Sequence, residues 1–233
     1  MGCIKAIETE YNGYRFRSRL EARWAVFFDA LGVRYEYEPE GFELPDGRYL
    51  PDFYLPDIRD GVYIEVKGEM DESSYRKVQS FWKHGSKPLY ILGGLPTQED
   101  LDQGDMYQYV ERYNRCFEIG FPDGSGDWPY LFCVCPACGK VGLEFDGRGW
   151  RVCGDYHKDK SLSTNTYKDS DGATHHFAHP EVAGWRTDDK GYSWNQSKLV
   201  IAYKKARQAR FEYGETPKPT LNHKPSTNHK ESR

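Results

Sequence analysis

The sequence predicts an α/β fold, in which a mixed α/β core precedes a small cysteine-bearing module and a C-terminal helix. Three observations predict it. Apolar residues near the N-terminus repeat at three- and four-residue steps, which is the spacing of an amphipathic helix. Several short segments after them alternate apolar and polar residues, as half-buried strands do. With 38% hydrophobic and 15% aromatic residues, 233 residues can form one sizeable core plus a smaller module.

The first predicted element is a helix over residues 17–31. Ser18 is the predicted N-cap, and Gly32 ends the helix. Glu21 lies three residues after Ser18, which is the spacing of a capping box. The apolar stripe of this helix consists of Leu20, Trp24, Phe27, Phe28 and Leu31.

Three strands are predicted to follow. Residues 33–37 alternate apolar and charged side chains and form the first strand, which a break at residues 39–41 ends. A turn at residues 45–47 leads into a hairpin arm over residues 48–55, the second strand. Residues 61–68 form the third strand.

A second helix and a fourth strand complete the predicted core. The helix begins near Asp71, its predicted N-cap, and residues 88–92 form a short apolar strand of the kind found inside a mixed sheet. The core therefore has the order helix, three strands, helix, strand. One side of the second helix carries Tyr75, Val78, Phe81 and Trp82.

Acidic residues lie on two neighbouring strands of this core. Glu65 and Lys67 share one face of the third strand because side chains alternate, while Ile64 and Val66 share the other. Antiparallel pairing brings Asp52 of the preceding strand beside Glu65. Carboxylate oxygens are the ligands that Mg²⁺ prefers, and two or three of them suffice because the ion keeps several waters. The sequence therefore predicts a Mg²⁺ (or Mn²⁺) site suited to phosphodiester hydrolysis, with Lys67 beside it.

Pro51-Asp52, followed after twelve residues by Glu65-Val66-Lys67, resembles the motif of the PD-(D/E)XK nuclease superfamily. The restriction-endonuclease-like fold of that family has the element order predicted above. Members such as Holliday-junction resolvases and transposon end-cleaving endonucleases also carry a glutamate on the first helix, and Glu21 matches that position. The resemblance covers roughly residues 14–95.

The resemblance implies a role for each residue of the motif. It implies that Asp52 and Glu65 bind the metal together with the Val66 carbonyl, that Lys67 assists the attacking water, and that Glu21 coordinates a second ion or its waters. Two alternatives stay open. A Glu-X-Lys sequence on a strand is commonly a solvated pair, and the capping box is a structural role for Glu21.

The implied activity is that of a Mg²⁺-dependent endodeoxyribonuclease in phage or bacterial DNA processing, recombination or defence. A non-cleaving nucleic-acid-binding factor and an RNA-directed nuclease are the alternatives. Dimerisation is compatible with duplex cleavage, since cutting two strands needs two sites or two events, although no interface pattern in the sequence supports a homodimer.

The net charge of −4 gives no sign of a nucleic-acid partner, so the local distribution of charge decides. Two basic stretches are candidate phosphate-contacting faces, with solvated helix faces as the alternative. The first contains Arg15, Arg17, Arg19 and Arg23, and the second contains Lys204, Lys205, Arg207 and Arg210.

Four of the six cysteines lie within residues 133–153, which is the clustering of a metal site. Cys135, Cys138, Cys153 and His157 have the layout of a zinc ribbon, whose closed tetrahedral shell would make the Zn²⁺ structural. His157 departs from the usual second Cys-X-X-Cys pair, and Cys133 or a histidine of residues 175–179 are substitutes for it. Reduced cysteines packed in a small core are the alternative.

The predicted organisation has five parts. They are a nuclease core at residues 1–95, a connection at 96–130, a zinc-ribbon-like module at 131–160, an irregular region with a basic helix at 161–213, and a disordered tail at 214–233. No run of about 18 apolar residues occurs, so no membrane span is expected. Cysteine clustering rather than a disulfide framework predicts a reducing location, the cytoplasm. The family resemblance implies that this is the cytoplasm of a bacterium or of a phage-infected host cell.

Overall fold

The structure is a computed structural model that is mixed α/β in its described part, with three helices and several sheets, so the predicted α/β class is confirmed at this level. The helices are α1 (Arg19–Leu31), α2 (Glu72–His84) and α3 (Ser197–Gln208). Within the described residues, no helix is both long and apolar enough to span a membrane. The structure describes residues 7–97, 99–100, 116–118, 128–135, 139–145, 152, 166–168, 174–176, 197–212 and 215–219.

Seven of the described strands form one sheet, in the order β11-β10-β9-β8-β7-β6-β3. Strands β7 and β8 are parallel, and every other neighbouring pair in this sheet is antiparallel. Three further pairs, β1–β2, β4–β5 and β12–β13, form two-stranded sheets. The strands are β1 (Thr9–Tyr11), β2 (Tyr14–Phe16), β3 (Glu36–Tyr37), β4 (Phe42–Leu44), β5 (Gly47–Tyr49), β6 (Phe53–Leu55), β7 (Val62–Val66), β8 (Leu89–Leu92), β9 (Cys116–Glu118), β10 (Trp128–Val134), β11 (Val141–Phe145), β12 (Thr166–Lys168) and β13 (Thr174–His176).

Helix α1 begins and ends where its capping residues predict. The Ser18 side chain accepts a hydrogen bond from the Glu21 N–H, which satisfies one of the free donors of the first turn. Gly32 adopts a left-handed conformation with φ 75°, and its N–H donates to carbonyls of the last turn. The large aromatic side chains of the helix are fully buried, among them Trp24, Phe27 and Phe28.

The register of β6 against β7 decides which side chains face which helix. Phe53 lies opposite Ile64, and both belong to the large core cluster that contains α1 residues. Tyr63 points to the opposite face and packs with α2 residues such as Phe81. Glu65 has the parity of Tyr63 and therefore lies on the α2 face. The separation of apolar and charged faces predicted for this strand is present.

The hairpin arm predicted over residues 48–55 is two strands in two different sheets. Strand β5 pairs with β4, whereas β6 pairs with β3 and β7. Pro51 lies between β5 and β6 and has no N–H to donate to a ladder, so a continuous strand is disfavoured here. The prediction of one continuous strand was wrong for this reason.

Two further features differ from the sequence prediction. Strands β1 and β2 form a hairpin that was not predicted, although Asn12-Gly13 supplies its turn with positive φ values of 48° and 81°. On α2, Val78 and Phe81 are buried, but Tyr75 is 39% exposed and does not belong to the buried side.

One hydrophobic core extends across several of the predicted parts. Strands β9, β10 and β11 continue the sheet beyond β8, and α3 packs on α1. Phe27 and Tyr203 stack with ring centroids 4.4 Å apart. Buried Ala202 and Ala206 have short side chains, which permit a close approach of the two helices. Residues of β10, β11 and α3 therefore belong to the same core cluster as those of α1.

Replacement of Leu199 tests whether α3 belongs to the central core. Leu199 is fully buried, so Leu199→Ala is expected to lower the free energy of unfolding by about 2–5 kcal/mol in urea denaturation. Ile201 on the same helix is 54% exposed, and Ile201→Ala should change that free energy by about 0.5 kcal/mol or less. Equal effects of the two substitutions would show that α3 is not packed as described.

Candidate functional site

Three acidic side chains that the sequence singled out are buried in the same region. Asp52 directly precedes β6, Glu65 lies in β7, and Glu21 lies in the first turn of α1. Their exposed fractions are 7%, 4% and 6%. Extending the β6–β7 register by one pair beyond Phe53 and Ile64 puts Asp52 opposite Glu65, as the sequence predicts.

Asp52 is held by the backbone of the neighbouring strand. Its Oδ2 atom accepts a hydrogen bond of 2.7 Å from the Val66 N–H, and its main-chain carbonyl accepts one from the Glu38 N–H. Burial raises the pKa of Asp52 well above its usual value, and the charges of Glu65 and Glu21 raise it further. The Val66 hydrogen bond opposes this shift without cancelling it. The charged form of Asp52 is therefore disfavoured by burial first and by its acidic neighbours second.

Glu65 is held at both carboxylate oxygens. The Tyr49 hydroxyl donates to Oε2 at 2.7 Å, and Lys67 Nζ lies 2.7 Å from Oε1. Burial and the charge of Glu65 raise the pKa of Tyr49, so this hydroxyl stays a neutral donor. Burial alone would lower the pKa of Lys67, but the charges of Glu65, Asp52 and Glu21 outweigh it and raise that pKa. Lys67 is thus a cation, 33% exposed, above a buried carboxylate.

Glu21 is occupied by contacts at the start of α1. Its Oε1 accepts from the Ser18 hydroxyl at 2.6 Å, and its Oε2 accepts from the Tyr37 hydroxyl at 2.7 Å and the Arg17 N–H at 3.0 Å. This is a variant of the capping box, in which the bonded backbone N–H lies one residue before the N-cap. The capping role is therefore present. Glu21 also adds its charge to the field at Asp52.

The fit of these residues to a metal ion depends on how many protein ligands the ion needs. Among the described residues, no group of three His, Cys, Asp or Glu side chains is arranged so that it could hold a metal ion. Mg²⁺, however, usually keeps several waters and is bound by one or two carboxylates. Asp52 and Glu65 supply that number of hard oxygen donors, and a divalent cation would offset the burial and the repulsion that raise the pKa of Asp52. Their chemistry fits Mg²⁺ or Mn²⁺ and is unsuited to soft metals.

A cleft of about 230 Å³ opens beside Glu65 and Lys67. Four cationic side chains and one carboxylate contribute to its walls, so it is a basic surface above an acidic floor. The cleft is lined by Arg17, Arg48, Tyr49, Leu50, Glu65, Lys67, Ser74 and Lys77. Sequence reasoning missed Tyr49, Arg48 and Lys77 because their proximity to Glu65 arises from packing of the β4–β5 hairpin on α2. No local spacing encodes that contact.

The first predicted basic stretch is divided between three environments. Arg17 lines the cleft and forms an ion pair of 2.6 Å with Glu38. Arg15 is exposed and pairs with Glu8. Arg19 and Arg23 lie 3.3 and 3.5 Å from Glu212, a contact between α1 and the segment after α3. Of the four arginines, the structure brings only Arg17 to the cleft.

The second basic stretch lies elsewhere on the surface. Lys204, Lys205, Arg207 and Arg210 are exposed, and none of them lines the cleft. Lys205 and Arg210 line a separate groove of about 450 Å³. Residues 215–218 also line that groove, so this part of the predicted disordered tail lies next to α1. Residues 220–233 are outside the described residues.

The cysteine site is described at one of its four predicted ligands. Cys135 follows β10 and is buried. Its N–H donates to the Lys140 carbonyl, and its carbonyl accepts from the Gly139 N–H, both at 2.8 Å. Gly139 has a φ of 74°, which glycine adopts readily. Burial raises the pKa of the Cys133 thiol, which favours a neutral, packed side chain there. The other three predicted ligands lie outside the described residues: Cys138, Cys153 and His157.

Comparison with known proteins gives no match to a family model and no match to a curated protein. The chemistry of the site is therefore the basis for a functional assignment. That chemistry consists of two adjacent buried carboxyl groups, a lysine paired with one of them, and a basic cleft above.

Substitution of Asp52 by Asn tests the cost of burying a charge at Asp52 beside two other acidic side chains. The amide oxygen can still accept from the Val66 N–H, while the charge that Glu65 and Glu21 oppose is removed. Asp52→Asn is expected to raise the free energy of unfolding by about 0.5–2 kcal/mol at neutral pH, measured by urea denaturation without divalent metal.

The pH dependence of that difference has a defined sign. Since the folded protein raises the pKa of Asp52 above 3.8, folded Asp52 holds a proton that the unfolded chain has lost, and wild-type stability falls as pH rises through this interval. The advantage of Asp52→Asn should therefore grow as the pH rises above 3.8, the usual pKa of an Asp side chain. A difference that stays constant as the pH rises would contradict the raised pKa of Asp52.

Proposed function

We propose that this protein is a metal-dependent nuclease of the PD-(D/E)XK type that hydrolyses DNA phosphodiester bonds. The observation that carries the proposal is the buried pair Asp52 and Glu65 with Lys67 ion-paired at the mouth of a basic cleft. Apart from the separate β4–β5 hairpin between β3 and β6, the order α1, β3, β6, β7, α2, β8 supports it, since it is the order of a restriction-endonuclease-like core. Burying two adjacent carboxyl groups is costly for a fold, and a role in function accounts for that cost better than structural scaffolding does.

The residues of the site have distinct roles in this proposal. Asp52, Glu65 and the Val66 carbonyl would hold Mg²⁺ or Mn²⁺. Such an ion supplies charge neutralisation at the phosphate and lowers the pKa of water. The Val66 N–H orients Asp52, so the backbone that offers one ligand also positions another. Glu21 contributes negative charge from its capped position at the start of α1.

Lys67 has two tasks in the same proposal. Its ion pair with Oε1 of Glu65 keeps it charged, and its partial exposure leaves it able to contact a substrate in the cleft. A cation at this place can orient the attacking water and stabilise the charge that develops on the phosphoryl oxygens. Tyr49 holds the other oxygen of Glu65, which fixes the carboxylate relative to the cleft.

A nucleic-acid-binding factor that does not cut is the second candidate. It is favoured by the hydrogen bonds that already occupy Glu21 and Glu65, and by the lack of a ready three-residue metal group among the described residues. The two candidates differ in one measurable property, which is phosphodiester cleavage in the presence of Mg²⁺.

Incubation of the purified protein with Mg²⁺ and linear, nicked and four-way DNA tests the favoured function. Wild type is expected to cut at least one of these substrates. Lys67→Gln keeps a hydrogen-bond donor near Glu65 but removes the charge, and should lower kcat by about 10²–10³. Asp52→Asn should abolish cleavage, since it removes a charged metal ligand while the fold is retained.

A matched control and a second readout accompany this test. Arg76 is exposed, pairs with Glu72 and does not line the cleft, so Arg76→Gln should cleave like wild type. Mg²⁺ should raise the Tm of wild type through binding to the folded state, and Asp52→Asn should lose this effect. Undiminished cutting by both Asp52→Asn and Lys67→Gln would refute the nuclease assignment.

The proposal includes a separate structural Zn²⁺ held by Cys135 with Cys138, Cys153 and His157. The hydrogen bonds that join Cys135 to Gly139 and Lys140 support it. Val152 supports it too, because it packs directly on Gly142: a Cβ added to Gly142 would lie 2.5 Å from Cγ2 of Val152. The chain thus returns to the hairpin just before residue 153.

Metal analysis of the purified protein tests this zinc site. We expect about one Zn²⁺ per chain. Cys135→Ser should lose this metal, and a chelator should remove it and unfold this region. Cys133→Ala serves as the comparison, since it should retain the metal if His157 is the fourth ligand. Purified protein without zinc would disprove this part alone and leave the nuclease assignment unaffected.

A further inference from the structure

The cleft beside Glu65 is formed by elements outside the acidic motif. Arg48 and Tyr49 come from strand β5, and Ser74 and Lys77 come from the first half of α2. The β4–β5 hairpin packs against α2 through Phe42, whose ring lies 4.8 Å from that of Phe81. This contact holds the hairpin at the edge of the site, so the cationic groups of the hairpin and of α2 share one cleft.

Arg48 of the cleft is in an ion pair whose carboxylate a substrate phosphate can replace. Arg48 pairs with Glu43, and their side chains are 88% and 76% exposed. An ion pair so exposed contributes about 0–1 kcal/mol, so exchanging its carboxylate for a phosphate costs little. A guanidinium can bind a phosphate through two parallel hydrogen bonds, and this contact is stronger than an ion pair that is exposed to water.

The charge of the cleft exceeds what one phosphate needs. Lys67 is engaged by Glu65 next to the reacting position, while Arg48 and Lys77 line the cleft from two other elements. Resting on the proposed function, we propose that Arg48 and Lys77 each bind one backbone phosphate beside the scissile one, so that the cleft holds a nucleic-acid strand by its backbone. Contacts of this kind set the register of the strand and carry no base sequence information. Binding at the clamp formed by Arg48 and Lys77 is therefore independent of sequence.

Binding measured without divalent metal separates the clamp from catalysis. Fluorescence anisotropy of labelled duplex DNA in EDTA gives the Kd of wild type, Arg48→Gln, Lys77→Gln and the double variant over a series of salt concentrations. Each single substitution should weaken binding several-fold for unrelated DNA sequences and reduce the slope of log K against log salt by about 1. The double variant should reduce that slope by about 2.

Arg76→Gln is the matched control, because Arg76 precedes Lys77 on α2, is 70% exposed and lies outside the cleft. It removes the same charge and should leave the affinity and the slope close to those of wild type. Wild-type binding by the Arg48 and Lys77 variants would overturn the clamp. Equal losses in all three single variants would overturn it too, since they would report net charge alone.

Cleavage of the same DNA with Mg²⁺ distinguishes failure of the clamp from failure of the nuclease assignment. If wild type cuts and the Arg48 and Lys77 variants bind normally, the clamp is wrong and the nuclease assignment stands. If nothing cuts but binding depends on Arg48 and Lys77, the backbone contacts of the clamp are correct, its place beside a scissile phosphate is wrong, and the protein is a binding factor. If wild type cuts, the double variant should show a raised KM with kcat nearly unchanged, because a phosphate neighbouring the reaction contributes uniform binding.

Discussion

The antiparallel pairing of β6 with β7 is the constraint on which the rest of the site depends. It puts Phe53 and Ile64 on the α1 face and leaves the α2 face to Glu65. At the end of the ladder, the carboxylate of Asp52 accepts from the Val66 N–H in place of a strand carbonyl. A slip of one residue would turn Glu65 into the aromatic core, so burial of the apolar face enforces the position of the acidic one.

That position has an energetic cost. Asp52 is buried near two other carboxylates, and its pKa is raised by burial and by their charges. The ion pair of Lys67 with Glu65 offsets part of the repulsion. Each of the three acidic side chains also accepts hydrogen bonds from hydroxyl or N–H groups. The aromatic core around α1, in which Trp24 and Phe27 are fully buried, supplies the stability that lets the sheet hold this arrangement. Stability and a charged site are opposed here, as is common for binding and catalytic centres.

Local signals were sufficient for the elements that local chemistry specifies. Ser18, Gly32 and Asp71 cap helices as the sequence predicts, because a cap depends on backbone groups a few residues away. The alternation through Glu65 likewise gives its face directly. Prediction failed where the chain changes partners, as at Pro51, since local alternation does not specify which strand becomes the neighbour. The long-range extension of the core to β11 and α3 was missed for the same reason.

The sequence by itself determined the acidic motif, its spacing and the parity of Glu65 and Lys67, because these follow from chain order and the two-residue period of a strand. Only the tertiary structure decided what surrounds the motif. Packing of the β4–β5 hairpin on α2 brings Tyr49 to Glu65 and lines a basic cleft with Arg48. Contacts between residues distant in sequence arise from burial of apolar surface, which is non-directional, so no short pattern records them.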